Sequence, residues 1–281
     1  MNEKKDCYDL DDLFENAPKN INKNVEDNFL EKRAVKIHNE TYVKDKVYEC
    51  AKCKNKGKIA YLDDNGRFAV RDCECYRIRA NRRKMERLGL LTFLDENNSL
   101  DTFVAEENWQ QYMKEKAQQY LSNPEDNWLM VGGNVGSGKT KLCAIIFSKL
   151  LEHNLDQTCE YLRWDSEYRD LTYPTKEEKL EIKARIEDYK NCDILYIDDF
   201  IRIKNKDDFK TDVLNLAKSI IDYRYMKGLK TIISSELFYN EMEEIDEAIA
   251  SRIYQKCKSG EYVIAINRKK ERNVRKNVEI I

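Results

Sequence analysis

Apolar and polar positions alternate in blocks along this chain, and the period of the blocks changes. Trp128-Leu-Met-Val131 is an unbroken apolar run of strand length, and Leu142, Ile145, Ile146 and Leu150 then recur at helical spacing. Cys159 to Trp164 predicts a second strand, Cys192 to Asp198 a third, Lys230 to Ser235 a fourth and Tyr262 to Ile266 a fifth. Between them lie a charged helical stretch, Lys176 to Tyr189, and a helix, Thr211 to Lys227, with Val213, Leu214, Ala217, Ile220, Ile221 and Tyr225 at its apolar positions. Strands alternating with helices predict an α/β fold with a parallel sheet covered on both faces. Ligands of such sheets bind beyond the carboxyl ends of the strands.

The chain before this region reads differently. Residues 1 to about 45 are polar with apolar points at Leu10, Leu13, Phe14, Ile21, Val25, Phe29 and Leu30. That spacing fits either an amphipathic partner-docking helix or a loosely packed segment. Tyr76 to Leu90 predicts a helix ended by Gly89, carrying Arg77, Arg79, Arg82, Arg83, Lys84 and Arg87. Such a run suits phosphate contacts or a solvated face equally. Residues 91–108 read as a linker, and Trp109 to Leu121 as a helix with Trp109, Met113, Lys116/Ala117 and Tyr120/Leu121 on one face. The expected division is an N-terminal domain, 1–90, and a second domain, 91–281.

Cys50-Ala-Lys-Cys53 and Cys73-Glu-Cys75 frame Gly57 to Arg71, which reads as a hairpin about Asp64-Asn-Gly66. Two close cysteine pairs on two turns provide four soft ligands at tetrahedral geometry, a zinc-ribbon-like module over 47–76. The second pair is C-x-C, tighter than the usual C-x-x-C. The remaining cysteines, Cys7, Cys143, Cys159, Cys192 and Cys257, are scattered, most in apolar runs, and read as core.

Gly133-Asn134-Val135-Gly136-Ser137-Gly138-Lys139-Thr140 sits between the first strand and its helix and fits G-x-x-x-x-G-K-[ST]. Glycines let the loop backbone curl so that its N–H groups and the helix N-terminus face an anion. Lys139 then reaches the β- and γ-phosphates of ATP, and the Thr140 hydroxyl ligates Mg²⁺. Asp198 ends an apolar strand beside this loop and is assigned to Mg²⁺. Asp199 is placed to orient or deprotonate the attacking water. Ser235 ends the fourth strand and is placed to hydrogen-bond the γ-phosphate or the water.

Charge adds little: 50 Lys+Arg against 52 Asp+Glu give a net charge of −2, which argues neither for nor against nucleic acid. No apolar run approaches the roughly 20 residues that cross a bilayer, and the first residues are polar, so a cytoplasmic protein is expected.

The phosphate loop, the Ile-Asp198-Asp199 strand, Ile220-Ile-Asp-Tyr-Arg224, Thr231-Ile-Ile-Ser-Ser-Glu236 and Ala250-Ser-Arg252-Ile together resemble the AAA+ helicase loaders of the DnaC/DnaI type, in their phage and mobile-element branch. The transposition-helper ATPases of the IstB type are similar in the ATPase core. The resemblance spans about 47–266. It implies a five-stranded sheet in the order 5-1-4-3-2, ATP hydrolysis, assembly into a ring or spiral, and delivery of a replicative DNA helicase to single-stranded DNA. It also implies that Arg252 serves as an arginine finger for a neighbouring subunit; a helix-capping role is the plain alternative. In this family the helix after the second strand helps grip DNA, which here singles out Trp164, Tyr168 and Arg169, with the basic helix and the tail Arg268 to Lys276 as auxiliary contacts. There are departures. Many relatives have Glu where Asp199 stands, which leaves room for a non-hydrolysing ATP-bound adaptor. The first sensor, often Asn, falls on Ser235 or Glu236, and Ser235 is preferred because a carboxylate repels the γ-phosphate. No second-sensor arginine is assigned.

Overall fold

The computed structural model describes residues 23–44, 49–94, 99–123, 128–153, 156–202 and 211–274. It divides into two compact units, 1–79 and 80–281. The first holds helix α1 (Lys23–Glu40), the antiparallel strands β1 (Lys58–Leu62) and β2 (Phe68–Asp72), and the start of helix α2 (Glu74–Arg87). Asp63 builds the expected hairpin turn, its carboxylate accepting from the N–H groups of Asn65 and Arg67 at 2.9 and 2.8 Å. Asn39 of α1 pairs through its amide with both backbone groups of Ala60, at 2.9 Å each, and so covers the outer edge of β1. Phe29 and Leu30 stay exposed, so these two apolar points of the N-terminal segment do not pack into a core. Leu10, Leu13, Phe14, Ile21 and Cys7 lie outside the described residues.

The units divide within α2 rather than at residue 90, for a packing reason. Asn81 is buried and donates to Ser148 O and Oγ at 3.0 and 2.9 Å, and Met85 and Leu90 join the core of the second unit. The expected linker is also partly ordered: short 3-10 turns at Leu91–Phe93 and Leu100–Thr102 bring Leu100 and Phe103 into that core.

The second unit continues with α3 (Asn108–Ser122), β3 (Leu129–Gly133), α4 (Lys139–His153), β4 (Cys159–Arg163), α5 (Trp164–Thr172), α6 (Lys179–Asn191), β5 (Ile194–Asp198), α7 (Thr211–Lys227), β6 (Lys230–Ser235), α8 (Tyr239–Ile245), α9 (Glu247–Lys256) and β7 (Val263–Ile266). The five strands β3 to β7 form one parallel sheet in the order β4-β5-β6-β3-β7. Counted within the sheet from the other edge this is 5-1-4-3-2, the order the resemblance implied. Strands β3 and β5 are buried throughout, as near-continuous apolar runs in a parallel sheet should be. Cys143, Cys159, Cys192 and Cys257 are all buried, and burial pushes each thiol up.

Arg224 on α7 is fully buried. Its guanidinium donates to the carbonyls of Tyr189, Cys192 and Lys230 at 2.9, 2.8 and 2.6 Å and to Thr231 Oγ1 at 3.0 Å. Cationic charge thus meets the carbonyl end of α6, where the helix dipole is negative.

Candidate functional site

The phosphate loop runs from the end of β3 into α4. Lys139 is buried, and its Nζ donates to the carbonyls of Gly133 and Asn134 at 3.0 and 2.7 Å. Burial holds its pKa below the ordinary lysine value, against the attraction of Asp199 and Glu236. Ser137 Oγ bonds Asn134 O at 2.9 Å, and Val135 is exposed at the loop tip. Gly133 is demanded by the fold: a Cβ there would stand 2.2 Å from Ile266 O of β7. Gly136, at φ 73°, is covered on its outer side, where a Cβ would stand 2.1 Å from Asn273 Oδ1.

The Thr140 hydroxyl lies 3.2 Å from Asp198 Oδ1, which brings the two expected Mg²⁺ ligands together. Asp198 also accepts from Tyr196 OH at 2.7 Å, Tyr161 OH at 3.0 Å and the Ser234 hydroxyl. Burial raises both tyrosine pKa values, followed by the Asp198 charge for Tyr161 and by Cys143 and then Asp198 for Tyr196, so both remain donors. Neither tyrosine was picked out from the sequence. The signal was there: Tyr196 stands two residues before Asp198, on its face of the strand, and pairs in register with Tyr161.

Ser235 does not face this centre. Successive strand residues point to opposite faces, so Ser234, not Ser235, reaches Asp198. Ser235 Oγ instead donates to Phe200 O at 2.8 Å and accepts from Leu237 N–H at 3.1 Å, closing a turn. Asp199 follows Asp198 in left-handed backbone, φ 51°, and its N–H donates to Ser234 Oγ at 3.1 Å. Its carboxylate pairs with Arg202 at 2.9 Å. Burial, then the Asp198 charge, raises the Asp199 pKa.

A strand-loop-helix cradle facing a strand-end Asp on a parallel sheet is the architecture of a P-loop ATPase. A family model for the bacterial DnaA ATPase domain matches residues 94–258, more than half of the chain. This chain belongs to that family. Among its relatives is the phage-like element PBSX protein XkdC of Bacillus subtilis (strain 168), 27% identical over 234 residues, which covers 78% of this chain and 82% of XkdC. The uncharacterized protein YqaM of the same organism is 30% identical over 149 residues, 53% of this chain and 45% of YqaM, so that match spans less than half of the relative's length. A crystal structure of the DnaC helicase loader superposes with a TM-score of 0.48 at 19% identity, covering 61% of this chain and 97% of that one.

Other residues of this DnaA-type ATPase chain are placed less as expected. Trp164 is fully buried, stacked on Tyr168 at 6.2 Å and set edge-on to Phe200 at 5.2 Å, so it has no face to offer a base. It starts α5 instead of ending β4. In the basic helix, Arg79 donates to Asn55 O at 2.6 Å and Lys84 to Gln157 O at 2.9 Å, while Arg77, Arg83 and Arg87 are exposed. In the tail, Arg268 grips Glu241 and Arg272 lies over Trp109; Arg275 and Lys276 are outside the described residues. Arg252 on α9 stands 3.0 Å from Asp222 Oδ1, poorly aligned for a hydrogen bond, and donates to Ala248 O at 2.8 Å.

In the first unit, the sulfurs of Cys50, Cys53, Cys73 and Cys75 all lie within 4.8 Å of one another. Cys50 to Cys73 is 3.8 Å and Cys53 to Cys75 is 3.4 Å. Four thiolates about 2.3 Å from a zinc ion sit about 3.8 Å apart, so the tetrad fits tetrahedral zinc. Gly57 N–H donates to Cys53 Sγ at 3.3 Å, the outer-shell support such ligands need. No helix among the described residues is long and apolar enough to cross a membrane.

Proposed function

We propose that this chain is an ATP-dependent loader of a replicative DNA helicase, with a structural zinc in its N-terminal unit. The observation that carries the ATP half is the Thr140 hydroxyl at 3.2 Å from Asp198, at the foot of the phosphate loop of a DnaA-type ATPase. The loader half rests on the resemblance of the ATPase motifs to helicase loaders, and similarity to XkdC, a phage-element protein, fits the phage branch of that reading. That match is longer than the second unit and so extends into the cysteine-bearing one.

In this reading the loop amides and Lys139 bind the β- and γ-phosphates. Thr140 and Asp198 hold Mg²⁺, which neutralises phosphate charge. Asp199 orients the attacking water, Ser234 holds Asp198 and the Asp199 backbone in place, and Arg252 of a neighbouring copy reaches the γ-phosphate. The chain assembles as a ring or spiral, binds single-stranded DNA and hands it the helicase.

The test is co-purification of the full chain with the replicative helicase of its host, with ATP, with ADP and without nucleotide. A stable complex whose lifetime depends on the nucleotide is expected. No association in any state would remove the loader reading while leaving the ATPase one. A second reading, a non-hydrolysing ATP-bound adaptor on DNA, has one observation in its favour: Asp199 is already engaged by Arg202. Turnover that stays undetectable with single-stranded DNA present would favour it.

A further inference from the structure

The carboxyl end of the sheet carries more negative charge than a triphosphate site should tolerate. Strand register pairs Gly132 with Ser235, so Glu236 follows directly at the carboxyl end of β6, where its charge acts on Lys139 of the phosphate loop. Asp198, Asp199 and Glu236 therefore border the place where a γ-phosphate would lie. Like charges at such range cost binding energy unless a cation stands among them.

Arg202 stands there. Its Nη1 is 2.9 Å from Asp199 Oδ2 and its Nε is 3.3 Å from Glu236 Oε1, with Asp165 Oδ2 4.0 Å from Nη1. Its position is fixed by the backbone. Asp199 and Ile201 both adopt left-handed conformations, φ 51° and 55°, and Arg202 N–H closes the turn on Asp199 O at 3.0 Å. Phe200 N–H bonds Ser234 O at 2.8 Å, and the buried side chains of Phe200 and Ile201 pin the turn from below. The chain is thus bent back so that residue 202 overhangs the strand ends. Among the described residues, Nη2 of Arg202 has no partner, which leaves one arm of the fork for an incoming anion.

We infer that Arg202 is a positioning residue for the triphosphate: it neutralises Glu236 and Asp199 and offers the γ-phosphate a cation in cis, so that the site favours ATP over ADP. This rests on the reading of the site as an ATP site. Glu236 is tolerable at this site because its charge is balanced within the same chain.

The experiment measures equilibrium affinity for a non-hydrolysable ATP analogue and for ADP, with melting temperature, for the full chain and for Arg202→Ala, Arg202→Lys, Glu236→Gln and the Arg202→Ala/Glu236→Gln double variant. Arg202→Ala should lose about tenfold in triphosphate affinity, or about 1.4 kcal/mol, with ADP nearly unchanged. Adding Glu236→Gln should recover most of that loss, because the uncompensated carboxylate is gone. Arg202→Lys should keep most of the preference. An equal loss for both nucleotides, or no recovery in the double variant, would show that Arg202 only braces the turn and would overturn the inference. If Arg202→Ala does not fold, Glu236→Gln alone decides: with one carboxylate fewer, triphosphate affinity should rise, and an unchanged affinity sinks the idea. Wild-type chain that binds neither nucleotide would sink the ATP reading itself, whereas binding of both without dependence on Arg202 sinks the inference alone.

Discussion

Lys139 donates to two backbone carbonyls of its own loop. Its lowered pKa means that the charged form is less comfortable here than in water, burial outweighing the nearby carboxylates. Lys139→Ala should therefore leave the melting temperature of the nucleotide-free protein almost unchanged. It should weaken ATP binding about 10- to 150-fold, the loss of one charge-assisted hydrogen bond of about 1.5–3 kcal/mol. Calorimetric titration and a thermal melt check both halves. The two serines of β6 provide a sharper contrast. Ser234→Ala removes a hydroxyl from Asp198 and an acceptor from Asp199 N–H, so turnover should fall well beyond what its own stability loss of about 1–2 kcal/mol explains. Ser235→Ala removes two turn-closing bonds and should cost about 1–2 kcal/mol of stability with a smaller effect on turnover. From sequence these two residues are neighbours with equal claims. Only the pleat, set by the pairing of β6 with β3 and β5, decides which one faces the Asp. Arg202 was hidden for a similar reason, since nothing in the letters Asp-Asp-Phe-Ile-Arg announces two left-handed residues that turn the arginine back on its own strand.

At the scale of elements, period and length carried most of the fold. Five buried strand runs, four of them parted by helical stretches, leave few arrangements, and the phosphate loop orients them. What the pattern could not reveal was contact made after the last strand. The segment following β7 lies along the outer side of the phosphate loop: Lys269 N–H donates to Asn134 Oδ1 at 3.0 Å and Val274 N–H to Gly136 O at 3.1 Å. Arg268 anchors the segment on Glu241 and Glu236 O and over the Phe238 ring. Read from sequence, these basic residues were equally good DNA contacts. Arg268→Ala should release the segment and raise hydrogen exchange at Asn134 to Gly136. The Arg268 hydrogen bond holds the Glu241 carboxyl below its ordinary range, so its contribution is present above the unfolded value of about 4.3 and is lost as pH falls through the lower folded value. Protection of the loop should be flat near neutrality and decline only below about pH 4. The cysteine module was legible because spacing is all a zinc ribbon needs. One zinc per chain is expected by metal analysis, and Cys73→Ser should lose it and loosen residues 49–79 while the melting transition of the second unit persists. Metal-free protein purified without chelator would count against the site.

On the scale of the whole molecule, the proposed reading asks for one part from outside the chain. In that reading Lys139, Arg202 and Mg²⁺ would balance charge near the phosphates within one chain, and an arginine that stabilises transition-state charge from across an interface would make hydrolysis depend on assembly. Arg252 is the residue the family resemblance puts forward, and its surroundings suit a held rather than a buried cation: it sits on α9 at the protein surface, half-exposed, steadied by Asp222 and lying over the Tyr225 ring at 5.9 Å. The helix-capping alternative has support too, from the bond to Ala248 O, so stability and turnover have to be separated. Arg252→Ala should keep ATP affinity within about twofold, since a finger acts on the transition state and not on ground-state binding, and should lower turnover about 10³-fold. Lys139→Ala loses turnover for the opposite reason, because it holds ATP weakly and lacks the loop's own cation at the phosphates. Mixed together, the two variants form interfaces in which an intact phosphate loop meets an intact Arg252, and some turnover should return in proportion to those interfaces. If the variants associate, as judged by sedimentation, and no activity returns, Arg252 does not act in trans. If Arg252→Ala lowers the melting temperature by several degrees and turnover only in proportion, it is a cap and the finger must be sought elsewhere.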